Sequence, residues 1–75
     1  MKRIAVRSSE IAILGYDEKK KILEVAFKTG NVYTYEAVPQ EVFEAFLKAD
    51  SYGQYFEQYI RDHYACRKTT DQKRI

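Results

Sequence analysis

Few side chains in this sequence could do covalent or metal chemistry. The single histidine, His63, stands three residues before the single cysteine, Cys66. A thiol nucleophile needs a base beside it and a group that orients the base. A structural zinc centre needs four ligands. One histidine and one cysteine supply neither set, so His63 reads as a packed or hydrogen-bonded side chain. Cys66 reads as a small, half-buried residue near a helix end, and it excludes an internal disulfide. Ser8 and Ser9 precede a strand and read as local backbone caps, since no positioned base accompanies them. Asp17 and Glu18 form no acid–base pair of defined separation. Gly30 and Gly53 lack the spacing of a phosphate or dinucleotide loop. The expectation is no enzyme, no cofactor and no metal.

Binding chemistry has more candidates. Seven tyrosines and four phenylalanines are many for 75 residues. Tyr33, Tyr35 and Tyr52 could stack on unpaired bases, at about 1–3 kcal/mol per base. Gly53, in the first turn of a helix, costs about 1 kcal/mol relative to alanine and marks close packing or a ligand's approach. Lys19, Lys20 and Lys21 in a turn, with Arg61, Arg67 and Lys68 near the C-terminal end, could hold phosphates without reading bases. Against this, a core without tryptophan uses aromatics for area, and three lysines in a turn also suit a solvated hairpin tip. No glycine-aromatic segment of the kind found in RNA-recognition sheets is present. Net charge is +2, but residues 1–9 carry +3, residues 10–60 carry −4 and residues 61–75 carry +3. Basic ends around an acidic middle hint at an anionic partner.

The elements that must position these residues follow from periodicity. Residues 2–7 are compatible with an edge strand. Residues 10–16 form a short apolar strand, Ile11 and Ile13 on one face and Ala12 and Leu14 on the other, with Gly15 at a bulge or close backbone approach. Residues 21–28 alternate, placing Leu23, Val25 and Phe27 on one face. Around Gly30 the chain turns, and residues 32–36 return. A three-residue turn with Gly30 in a bulge puts Tyr33 and Tyr35 on the face of Val25 and Phe27, whereas a two-residue turn puts them opposite. The former is favoured, because it spends both rings flanking a core. Pro39 starts a helix with Val42, Phe43, Phe46 and Leu47 inward. Ser51 or Asp50 caps a second helix with a stripe of Tyr52, Tyr55, Phe56, Tyr59, Ile60 and His63.

The fold class expected is α+β: a small antiparallel three- to four-stranded β-meander followed by two α-helices packed on one face. One domain spans residues 1–66, and residues 67–75 read as a basic, flexible tail. A chain this short buries only about 60% of its unfolded surface, which leaves room for oligomerisation. No apolar run approaches the ~20 residues that span a bilayer, and the N-terminus does not read as a signal peptide. No membrane association is expected, and the expected location is the cytoplasm.

The order Ser8-Ser9-Glu10-Ile11, Gly15-Tyr16-Asp17, Leu23-Glu24-Val25-Ala26-Phe27, Gly30, Tyr33-Thr34-Tyr35, Val38-Pro39 and Ser51-Tyr52-Gly53-Gln54-Tyr55-Phe56 resembles the KTSC domain. The likeness covers roughly residues 6–64. That domain occurs at the C-terminus of some lysyl-tRNA synthetases and alone in short bacterial and phage proteins. One departure is Glu57, where the family often has asparagine. The resemblance implies a non-catalytic accessory module, with tRNA or single-stranded RNA as the ligand suggested by the synthetase attachment. The alternative expectation is a protein-interaction or homo-oligomerisation module using an open strand edge or aromatic surface.

Overall fold

Alternation and turn chemistry lay down four consecutive strands before any helix forms. The computed structural model describes residues 1–68. The strands are β1 (Lys2–Ala5), β2 (Ile11–Asp17), β3 (Ile22–Phe27) and β4 (Val32–Tyr35). Helix α1 (Gln40–Leu47) and helix α2 (Tyr52–Tyr55) follow, and α2 runs on into a π-helical turn, Phe56–Ile60. The chain then returns to add β5 (Cys66–Lys68) beside β4. The sheet order is β1-β2-β3-β4-β5, every pair antiparallel.

The α+β class holds, with five strands rather than three or four. The extra strand carries no apolar alternation; all three of its residues are exposed. Backbone pairing alone places it, led in by Glu36 N–H donating to the Ala65 carbonyl at 2.9 Å. Arg67 and Lys68, expected in a flexible tail, are therefore strand residues. The remainder of that expected tail, 69–75, lies outside the described residues.

Strand β2 departs from simple alternation. Ile11 pairs with Phe27, yet Ile13 pairs with Ala26 and Leu14 with Val25, so the register slips between Ile11 and Ile13. This β-bulge at Ala12 inserts one residue and reverses the facing of everything after it. Ile11, Leu14 and Tyr16 consequently all lie in the core, where Ile11 and Ile13 had been expected to share a face. Gly15 is no bulge. It lies under close side chains, where an added Cβ would stand 3.1–3.3 Å from Met1 Sδ, Arg3 Cγ and Glu24 Oε1.

The β3–β4 hairpin follows the favoured register. Phe27 N–H donates to the Asn31 carbonyl at 2.8 Å, leaving a three-residue loop in which Gly30 takes a φ of +100°. Val25 faces Tyr33 and Leu23 faces Tyr35, so both tyrosines share the core side with Val25. Between β2 and β3 the Asp17 carboxylate accepts from Lys19 N–H and Lys20 N–H.

Both helical segments pack on this one face. Pro39 is the residue just before α1, extended at φ −64° and ψ 148°, and its carbonyl accepts from Val42 N–H. Phe43 and Phe46 are the buried residues of α1. Phe43 stacks on Tyr16 at 5.0 Å, and the Tyr16 hydroxyl donates to the Val38 carbonyl. The second helix is shorter than its apolar stripe suggests. Arg61 N–H reaches back five residues to the Phe56 carbonyl at 2.8 Å. This wider winding keeps Phe56 and Ile60 inward but turns Tyr59 out, to 55% exposure. The helix stops at Ile60, so His63 falls in the following turn and is exposed rather than packed.

Three non-glycine residues have positive φ: Lys21, Ala37 and Asp62. Ala37, at +58°, is held there because its neighbours are fixed: Glu36 N–H bonds Ala65 and Val38 N–H bonds Lys21. A left-handed L-residue costs roughly 1–2 kcal/mol, and glycine returns part of that gain as unfolded-state entropy. Ala37→Gly should therefore raise stability by about 0.5–1 kcal/mol in urea unfolding. A loss of stability would show that the strain is absorbed elsewhere.

Candidate functional site

Rings from the sheet and from the π-helical turn meet where the end of the β3–β4 hairpin and β5 come together. They floor a cleft of about 590 Å³. Phe27 lies edge-on to Tyr33 at 5.8 Å and to Phe56 at 5.2 Å, and Tyr35 lies edge-on to Phe56 at 5.8 Å. Such T-shaped pairs engage ring faces with ring edges and fix the floor. The rim is polar and of mixed sign: Glu10, Glu57 and Asp62 against Lys28 and Arg61. Ser9, Asn31, Tyr64 and Cys66 complete it.

Two backbone irregularities aim the rim. The π-helical turn ends at Arg61, and Asp62 follows at a φ of +66°. Turns of this kind, and left-handed non-glycine residues, concentrate at functional sites. Arg61 Nη1 meets Glu57 Oε1 at 2.9 Å, and that hydrogen bond raises the guanidinium pKa above its ordinary value. Both side chains are more than half exposed, so the pair orients Arg61 more than it stabilises the fold.

Tyr35 is 4% exposed and hydrogen-bonded to the Cys66 thiol. Burial first, then that bond and the proximity of Cys66 and Tyr33, push its hydroxyl pKa well above the ordinary 10.0. Its ring is core, which removes it as a stacking platform. Tyr33 is half-buried, with its ring against Phe27. Cys66 and Asp62 both border the cleft, but His63 does not line it. The thiol thus has a phenol for a neighbour and no imidazole.

A second cleft of about 480 Å³ adjoins the first and shares Ser9, Glu10 and Glu57 with it. Tyr52 and Gly53 line it. Ser51 Oγ accepts from Gln54 N–H at 3.3 Å and caps α2. Gly53 has a neighbour rather than a special backbone: an added Cβ would come 2.5 Å from Glu10 Oε1. Ser8 Oγ accepts from Glu10 N–H and Ile11 N–H, both at 3.2 Å, so the serine pair does include a local cap. Glu10 therefore stands between the clefts, held by Ser8 below and admitted by Gly53 above.

The structure divides the expected site residues into three groups. Tyr33, Tyr35 and Arg61 share the first cleft, while Tyr52 and Gly53 border the second. Arg67 and Lys68 lie on β5, opposite Thr34 and Tyr33. Lys19, Lys20 and Lys21 sit at the other end of β3, where Lys19 borders a separate cleft with Tyr16 and Phe43. Arg67 is paired with Glu36 at 3.1 Å. The expected cations thus do not converge on the aromatic floor. Sequence reading missed Glu10 and Tyr64. Tyr64 lies past the helix and follows no periodicity, and Glu10 is marked only by the serines before it. Among the described residues, no group of three or more His, Cys, Asp or Glu side chains is placed to hold a metal ion. Among them, too, no helix is long and apolar enough to cross a membrane.

Comparison with known proteins places this geometry in a family. Residues 7–64 match the KTSC domain. An uncharacterized protein of Stutzerimonas stutzeri (strain A1501) is 52% identical over 65 residues, covering 85% of this chain and 92% of that protein. A protein of Tsukamurella paurometabola is 37% identical over 59 residues, covering 79% and 88%. The crystal structure of a KTSC domain protein from Yersinia pestis superposes with a TM-score of 0.88 at 35% identity, covering 91% of this chain and 96% of that one. The chain belongs to the KTSC family.

Two expectations test the site's construction. Gly53→Ala meets only the mobile end of an exposed glutamate and gains helix propensity, so stability should stay level or rise by up to about 1 kcal/mol. Glu10 should move, visible as chemical-shift changes at Ser9 and Glu57; a large destabilisation would mean that Glu10 cannot yield. Because Tyr35 has a raised folded pKa, its contribution is fully present below pH 10.0, the ordinary tyrosine value. It is lost as pH climbs towards the folded value. Unfolding free energy should fall above that pH, and less steeply in Tyr35→Phe. Equal slopes in the two proteins would remove Tyr35 from the account.

Proposed function

We propose that this KTSC domain is a binding module that performs no bond chemistry and takes a polypeptide segment at its aromatic cleft. The observation that carries the reading is the cleft's composition: a fixed floor of rings beneath a rim of both charge signs. A volume of about 590 Å³ suits a few side chains or a small ligand. Protein surfaces offer donors, acceptors and apolar groups together, which matches such a rim. A binding role is also favoured because the Cys66 thiol has Tyr35 rather than a base beside it.

RNA is the second reading, and one observation favours it: Lys28 and Arg61 border the cleft while Lys68 lies across from Tyr33. Against it stand the cleft's three carboxylates, which repel phosphates. Tyr35 is too buried to stack a base, and the Lys19–Lys21 turn is remote.

Titration of the labelled protein with pooled capped peptides and with oligouridylate, each at low and high salt, separates the two. Peptide-induced shifts at Tyr33, Phe56 and Tyr64 that survive high salt are expected. Oligouridylate moving the same resonances, with steep loss in salt, would replace the polypeptide reading with RNA.

A further inference from the structure

The open side of β5 follows from the hydrogen-bond phase of its ladder. In an antiparallel pair, directly opposed residues alternate between exchanging both backbone bonds and exchanging none. Glu36 N–H bonds the opposed Ala65 carbonyl. Two positions on, Arg67 opposite Thr34 must therefore be a bonded pair, and Cys66 and Lys68 lie in the unbonded phase. The N–H and C=O groups of Cys66 and Lys68 accordingly point away from β4, towards the sheet's open edge.

We propose that this edge is a strand-addition site: β5 takes an extended acidic segment of a partner protein as a sixth strand. The proposal rests on, and narrows, the polypeptide reading above. Two backbone groups of each kind at the edge give a strand both the donors and the acceptors it needs. Phosphates offer acceptors only and would leave the carbonyls unmatched. Side chains of the added strand alternate between faces. Those opposite Cys66 and Lys68 fall on the cleft side, next to Tyr35 and Tyr33, and the one opposite Arg67 falls on the far side of the sheet.

Charge names the occupant. Lys68 has no ion pair among the described residues, and the Arg67–Glu36 pair is exposed and exchangeable. Acidic residues opposite Arg67 and Lys68 meet a cation on each face. A second copy is disfavoured on the same ground. The sheet's other edge, β1, carries Lys2 and Arg3, so either edge of a second copy would set cations against cations. β1 is the poorer acceptor for a partner as well, since Arg3 is engaged by Glu24 at 2.8 Å and no aromatic cleft adjoins it.

The test uses a capped alternating Glu–Val heptapeptide, a Lys–Val control of equal length and oligouridylate, with amide shifts and exchange rates as the readout. The Glu–Val peptide should shift and protect the amides of Cys66 and Lys68, and the Lys–Val peptide should not. Cys66→Pro removes only an edge-facing N–H and should weaken Glu–Val binding at least tenfold, about 1.4 kcal/mol. Cys66→Ala, which keeps that N–H, should bind as the parent does. If Cys66→Pro loosens β5, the Arg67→Glu, Lys68→Glu double variant serves instead, and it should lose the same binding. No effect at Cys66 and Lys68 under saturating peptide overturns the proposal. Peptide shifts confined to Tyr33 and Phe56, unchanged in Cys66→Pro, overturn strand addition while leaving the polypeptide reading standing. Edge and cleft shifts with oligouridylate alone overturn both.

Discussion

Everything on the helical side of the sheet depends on the extra residue in β2. Ile11 and Leu14 are three positions apart, and a regular strand would send them to opposite faces. The bulge at Ala12 brings both to one face, with Tyr16 after them. Tyr16 then meets Phe43 and binds the Val38 carbonyl, which ties the start of α1 to the sheet. Ile11 lies opposite Phe27, whose ring floors the cleft. A slip of one residue here would move half the core to solvent.

The packing that results is largely ring on ring. Phe46 stacks with Tyr55 at 4.9 Å, Tyr16 with Phe43, and Phe56 stands edge-on between Phe27 and Tyr35. In a chain with few residues to bury, rings supply area, and their edge-to-face preference supplies geometry. The aromatic richness that suggested base stacking is mostly spent this way. The residual surface of those rings, where the helix pulls away from β4 and β5, is the cleft itself. Core and candidate site are thus two sides of the same cluster.

Elements set by local rules were legible in the sequence. Alternation gave β3, Gly30 with its neighbours gave the hairpin register, and Pro39 and Ser51 marked the helix starts. The family could be named from the order of short motifs. What escaped depends on backbone choices that leave no periodic trace. Ala12 does not announce a bulge, and Phe56 to Ile60 reads the same in α or π winding until Arg61 N–H finds its partner. β5 is a strand only because β4 offers an edge. The same limit applies to the site: Tyr33 and Arg61 were found by residue type, but Glu10 joins them through Gly53, a contact between segments 43 positions apart. The Lys19–Lys21 turn failed as a partner for those rings because β3 separates its two ends by its full length.

The wider winding at Phe56–Ile60 also bears on how length variation can act in this fold. A π turn is an α-helix holding one residue more than it needs. Removing that residue would restore regular bonding without breaking the helix, and each residue of an α-helix advances the next by about 100°. Everything downstream, Arg61 and Asp62 first, would swing around the axis and leave the cleft, while Tyr52, Tyr55 and Phe56 kept their places. A single-codon deletion in this segment would therefore act as a rotation of the rim, sparing the core and refashioning the surface in one step.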